Sequence, residues 1–234
     1  MNQPQRRSSD TTEAMAAAAV RLPAPQPEIQ QQRVELVFTQ APAALATALI
    51  VALVLTGSLW NVANQSLLLA WFGTQLLLTA VRLVHVYRYR MSCQEERNDP
   101  QWEKFFFVGA LLSGIAWGCL GLIYSPGWAV EQQVLVAICI IGLQAGALAS
   151  YAAINGIYIA FMVPSILIFS QALMAQSDGS HSVMGVMFLV GGAVLLAISR
   201  NISNSILLSL QVRYEHQDLV RKILVTNNSL EIEV

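Results

Sequence analysis

Few side chains in this sequence are placed to do chemistry. The three histidines, His85, His181 and His216, fall in separate parts of the chain, so they are not expected to converge on a metal. Cys93, Cys119 and Cys139 are isolated and odd in number, which argues against a disulfide framework or a CxxC site. There is no Gly-rich phosphate loop, no H-E-x-x-H and no G-x-S-x-G. No catalytic, cofactor-binding or metal-binding residue is therefore expected, and no cofactor. What remains are polar side chains inside apolar runs. Gln75 and Gln144 either bond across helices, the favoured reading, or hold a ligand; Trp117 is a candidate pocket wall, with core or lipid contact as the favoured alternative. Thr79, Ser113, Ser150, Ser165, Ser170 and Gln171 share that setting. Arg82 and His85 stand near the end of an apolar run, where Arg82 can snorkel to the interface. No ionisable residue is expected at mid-depth, which disfavours a proton-coupled pump.

The elements that must position these residues follow from the charges. Apolar residues make up 55% of the 234 and charged residues only 12%. Soluble domains carry about 25% charged residues. No Asp, Glu, Lys or Arg occurs in 36–81, 105–130, 132–177 or 179–199. A helix needs roughly 20 apolar residues to cross the hydrocarbon core. The first and third gaps hold two crossings each and the others one, which gives six spans. These are read as Pro42–Trp60, Leu67–Val86, Phe105–Tyr124, Val134–Tyr151, Tyr158–Gln176 and Val183–Ser199. Asn61–Ser66, Ser125-Pro-Gly127, Ala152–Gly156 and Ser177–Ser180 supply the turns, with Asn155-Gly156 as a turn signal. Continuous apolar runs exclude an alternating barrel, and lipid leaves helices as the remaining choice. Gly142, Gly146 and Ser150 form a small-residue ridge that lets helices pack closely, and Ala110, Gly114 and Gly118 form another; each is expected to pack inside the bundle, with dimerisation as the alternative. Pro164 is expected to kink the fifth span.

All Lys and Arg lie before the first span, at or between spans two and three, or after span six. Basic residues concentrate on the cytoplasmic side, so both termini are expected there, in a bacterial inner membrane. Trp60, Trp71, Tyr124 and Trp128 are expected to line the outer interface. Tyr87, Tyr89, Trp102, Tyr151 and Tyr158 are expected to line the inner one. Residues 1–34 read as a disordered cytoplasmic tail, and Glu28–Phe38, which overlaps its end and leads into span one, reads either as an interfacial helix or as disorder. Residues 35–200 read as the transmembrane domain and 201–234 as a cytoplasmic signalling helix. In that helix Val212, His216, Leu219, Ile223, Thr226 and Leu230 follow coiled-coil steps, with Leu219 and Ile223 the strongest apolar pair of the seam. An amphipathic helix lying on the membrane is the alternative. The fold class expected is all-α: a polytopic six-helix bundle followed by a coiled-coil-like helix.

The chain resembles a family of bacterial sensory regions. Arg33-Val-Glu-Leu-Val-Phe-Thr-Gln-Ala-Pro-Ala-Ala44 at the entry to span one resembles the start of a multi-span sensory region. That region stands at the N-termini of diguanylate cyclase (GGDEF) and GGDEF–EAL proteins and of hybrid sensor histidine kinases. Arg82–Arg90, Phe107–Gly118 and Gly142–Ser150 are similar to it too. Arg213-Tyr-Glu215 and Asn227-Asn-Ser-Leu-Glu231 resemble the linker into an output domain. The resemblance covers about residues 33–234. It implies a sensory and signal-transmitting module whose catalytic part lies beyond Val234, since no GGDEF, EAL or phosphoacceptor-histidine motif occurs in this sequence. The expected partners are the lipid bilayer, a second copy through the C-terminal helix, and a small-molecule or membrane stimulus; nucleic acid is not among them. A small transporter or channel is the alternative function. A membrane enzyme has no residue to support it.

Overall fold

The computed structural model describes residues 26–97, 99–176 and 179–232. Every element among them is a helix, and none is a strand. The order is α1 (Gln26–Leu59), α2 (Gln65–Met91), α3 (Gln94–Arg97), α4 (Gln101–Gly118), α5 (Leu120–Ile123), α6 (Val130–Tyr151), α7 (Asn155–Met174) and α8 (Gly179–Ile232). Six helical stretches are long and apolar enough to cross a membrane: α1, α2, α4 with α5, α6, α7 and the first part of α8. Exposed Ile50, Leu53, Leu77, Val84, Ile138, Met187 and Val194 give the bundle an apolar outside. In water such a surface would be a large unpartnered patch, and in lipid it is the ordinary one. The chain is thus a multi-span, all-α membrane-type bundle.

Residues 31–206 form one compact unit, which holds the bundle. Of the described residues, 26–30 and 207–232 belong to a second unit. In that second unit α8 stays helical to Ile232, and Leu219 and Ile223 are exposed. The expected seam positions Thr226 and Leu230 have side chains outside the described set.

Local chemistry explains the helix ends. Asn64 caps α2, its Oδ1 accepting from the N–H groups of Ser66 and Leu67 at 3.0 and 3.3 Å. Arg88 and Arg90 occupy the last turn of α2, where the helix dipole favours cations. Asp99 accepts from the N–H of Gln101 at 2.8 Å and opens α4. Before α6, the Ser125 hydroxyl accepts from the Gly127 N–H, and Gln133 Nε2 donates to the Trp128 carbonyl at 2.8 Å.

Four expectations change. The expected disordered tail, 1–34, is helical from Gln26, while residues 1–25 lie outside the described set. Pro27 falls in the first turn, where its missing N–H removes no helical bond. Val34, Val37 and Phe38 beyond it are buried in the core. Pro42 lies inside α1 rather than at the start of a span. Asn155 begins α7, and Ala152–Ile154 make the turn. The aromatic belts also dissolve in part. Trp71, Tyr89, Tyr124, Trp128, Tyr151 and Tyr158 are buried inside the bundle, whereas Trp60 and Tyr87 face outward. Aromatic tips with an internal acceptor have no need of the interface: Trp71 Nε1 donates to the Ala116 carbonyl at 2.8 Å, and Trp128 Nε1 to the Val62 carbonyl at 3.1 Å.

The helices meet most closely along α4 and α5. A Cβ on Gly114 would run into the Phe161 carbonyl of α7. On Gly118 it would stand 2.8 Å from Ile168 Cβ, and on Gly121 2.8 Å from Ala172 Cβ. Gly142 and Gly146 have nothing within 4 Å of a Cβ position. The Gly142–Gly146–Ser150 ridge therefore does not pack closely against another helix of this chain, as it was expected to.

Candidate functional site

That open ridge is one wall of a cavity of about 300 Å³. Ala43, Ala44, Thr47, Ala48 and Val51 of α1 face it from the other side. The floor is polar. Gln75, Thr79 and Arg82 of α2, Ser113 and Trp117 of α4, and Ser150 and Tyr151 of α6 line it. Ala43, Thr47, Gly142 and Gly146 are exposed, so the cavity opens on the flank of the bundle between α1 and α6.

Arg82 is 5% exposed and does not snorkel. The reason is direction. Helical Cα–Cβ bonds tilt toward the helix N-terminus. Arg82 stands near the C-terminal end of α2, so its side chain leans back into the bundle. Its Nη1 donates to Ser113 Oγ at 3.2 Å and its Nη2 to the Tyr151 hydroxyl at 3.1 Å. The guanidinium carbon stands 4.8 Å from the Phe106 ring centroid and 5.5 Å from that of Tyr151. Both distances are in the cation–π range. Gly109 leaves the room for the stem, since a Cβ there would come within 3.1 Å of Arg82 Cγ. Among the described residues, no carboxylate hydrogen-bonds or ion-pairs with this cation. Its Nε and the Nε2 of Gln75 are buried donors without acceptors.

Of the residues expected to contact a ligand, Gln75 and Trp117 reach the cavity. Trp117 is 2% exposed and meets Trp71 edge to face at 5.3 Å. Gln144 turns away from the cavity. It is fully buried, and its Nε2 donates to Ser165 Oγ on α7 at 2.8 Å, which is the interhelical contact. Arg82 and Tyr151 were missed as site residues. Arg82 continues the buried stripe Leu68, Trp71, Gln75, Thr79, Val86 and Tyr89, and that helical phase is a signal for it in the sequence.

A second polar cluster joins the site to α8. Tyr151 ends α6, and two residues later the Ala153 carbonyl accepts from Arg33 Nε of α1 at 2.6 Å. Arg33 Nη2 donates to Ser203 Oγ of α8 at 3.2 Å. Ser199 Oγ of α8 donates to Asn155 Oδ1 at the start of α7 at 2.7 Å. The turn after α6 is therefore tied to α8 by two side-chain links. At the far end of the bundle, His181 Nε2 lies 3.0 Å from the Tyr124 hydroxyl and 3.2 Å from Gln133 Oε1. Within the described residues no His, Cys, Asp and Glu come together as a metal site.

Comparison with family models, with curated proteins and with solved structures returned no match.

Proposed function

We propose that this chain is a membrane sensory and signal-transmission module of a bacterial signalling protein, of the kind that drives a diguanylate cyclase or histidine kinase output. The observation that carries the reading is a polar-floored cavity on the flank of the bundle whose Arg82 reaches Tyr151, next to the Arg33–Ala153 and Arg33–Ser203 links onto α8. A ligand that moves Arg82 changes the end of α6, and α8 responds through Ser199 and Ser203. Two copies pair through Leu219 and Ile223, whose exposure in the single chain leaves them free to meet a partner. The module sits in the inner membrane with both termini in the cytoplasm.

Disulfide crosslinking in membranes tests the relay. Single cysteines replace residues 219, 220, 222 and 223 in a chain lacking Cys93, Cys119 and Cys139. Crosslinking is expected to peak for Leu219→Cys and Ile223→Cys, and Arg33→Ala is expected to alter the pattern. Uniformly low crosslinking would remove the paired helix. A pattern indifferent to Arg33→Ala would remove the relay.

The cavity's flank opening also favours a second reading, a small transporter or channel. Anion flux into proteoliposomes separates the two: the sensory module is expected to carry none.

A further inference from the structure

We propose that the cavity binds a monoanionic amphiphile, with a carboxylate against Arg82 and an apolar tail between α1 and α6. This deepens the sensory reading by naming the ligand class.

The polar end of the ligand follows from what Arg82 lacks. A guanidinium carries five N–H donors. Arg82 meets two acceptors, both neutral hydroxyls, and it is buried in a bundle whose outside is apolar. Ionisable groups in such surroundings pair with an opposite charge or line a path for one. Among the described residues no acidic side chain lines the cavity, and we assign the missing negative charge to the occupant. Among the described residues that line it, Arg82 is the only charged one, which matches one negative charge rather than two. The unpartnered donors, Arg82 Nε–H and Gln75 Nε2–H, call for acceptor oxygens within the same site. A carboxylate supplies two, in the planar geometry a guanidinium fits. The Phe106 and Tyr151 rings flank the guanidinium at cation–π distances of 4.8 and 5.5 Å.

The apolar end follows from the walls. Ala43, Ala44, Ala48 and Val51 face Gly142 and Gly146 across the opening, and no side chain fills the space beside either glycine. The cavity opens on the flank that faces lipid, so its occupant arrives from the bilayer and carries an apolar body. A volume of about 300 Å³ suits a short acyl or aryl acid rather than a whole phospholipid.

The test uses the full chain in phosphatidylcholine nanodiscs and radiolabelled octanoate as the probe, with empty nanodiscs as background. Saturable binding is expected, displaced by unlabelled octanoate and at least tenfold less well by octanol. Arg82→Gln is expected to weaken binding tenfold or more, and Arg82→Lys less. Gly142→Leu fills the open wall without touching Arg82 and is expected to weaken binding as strongly, which keeps the test decisive if Arg82→Gln does not fold. Absence of saturable binding to the wild type overturns the proposal, as does equal displacement by octanol or unchanged binding in Gly142→Leu. Tighter binding of octyl phosphate than of octanoate also overturns it, assigning the site to a phosphorylated headgroup instead. Octanoate that binds without altering crosslinking at residues 219 and 223 leaves this assignment standing and removes the sensory reading. An Arg33-dependent crosslink without octanoate binding does the reverse.

Discussion

Arg82 is held by two hydroxyls that differ in what else they do. Ser113 Oγ offers only a hydrogen bond, whereas Tyr151 offers its hydroxyl at 3.1 Å and its ring at 5.5 Å. Tyr151→Phe keeps the ring and removes one acceptor from a buried cation. Removing a partner from a buried polar group typically costs about 1–3 kcal/mol, with charged groups at the upper end. The variant is therefore expected to melt at a lower temperature in detergent than the wild type. Ser113→Ala is expected to do the same, and the double variant to lose less than the two losses added, because both act on one guanidinium. A Tyr151→Phe protein that melts like the wild type would mean the hydroxyl is not what satisfies Arg82. Position along the chain suggested a snorkelling arginine, and position around the helix placed it inside. The second signal prevails because the side chain leans toward the N-terminus of α2, away from the nearer interface.

Two glycine ridges look alike in sequence and behave oppositely in the bundle. Gly114 and Gly118 let α4 lie against α7, where a Cβ would strike backbone or a packed side chain. Gly142 and Gly146 border open space. Gly114→Ala is expected to force α4 and α7 apart and lower stability by about 1–3 kcal/mol, the usual cost of overpacking. Gly146→Ala adds a methyl to a cavity wall and is expected to leave the melting point unchanged. Thermal unfolding of both variants in the same detergent checks the pair, and equal losses would contradict the assignment. The glycine spacing made close approach legible. It did not say which ridge is used, because small residues permit contact without supplying a partner. The spans themselves were legible to within a few residues at most ends, since lipid demands long uninterrupted apolar helices. Turns were less so: Asn155-Gly156 carries a turn signal, yet Asn155 starts α7 and lends its Oδ1 to Ser199.

For the whole molecule, the strongest asymmetry is charge. Arg88, Arg90 and Arg97 gather around the link between α2 and α4, where Arg97 clamps the Ser92 and Arg90 carbonyls at 3.1 and 2.7 Å and stacks over Tyr89. The loop at Trp60–Gln65 and the segment at Ser125–Ala129 contain no Lys or Arg. Six spans put both of those on the side opposite the α2–α4 link. Positive residues near span ends resist translocation, so under the proposed orientation the α2–α4 link is expected on the cytoplasmic side. Nature has left a probe there: Cys93 is an exposed free thiol, whereas Cys119 and Cys139 are half-buried on the helices. In a chain with Cys119 and Cys139 replaced by alanine, a membrane-impermeant maleimide is expected to label Cys93 only after the cells are opened. With Cys93 also replaced, Asn64→Cys is expected to react in intact cells. This pair of results depends on orientation alone and not on the ligand or the paired helix. Labelling of Cys93 from outside would invert the protein in the membrane, put the Arg33–Ser203 link on the outer face, and leave α8 no cytoplasmic output to drive.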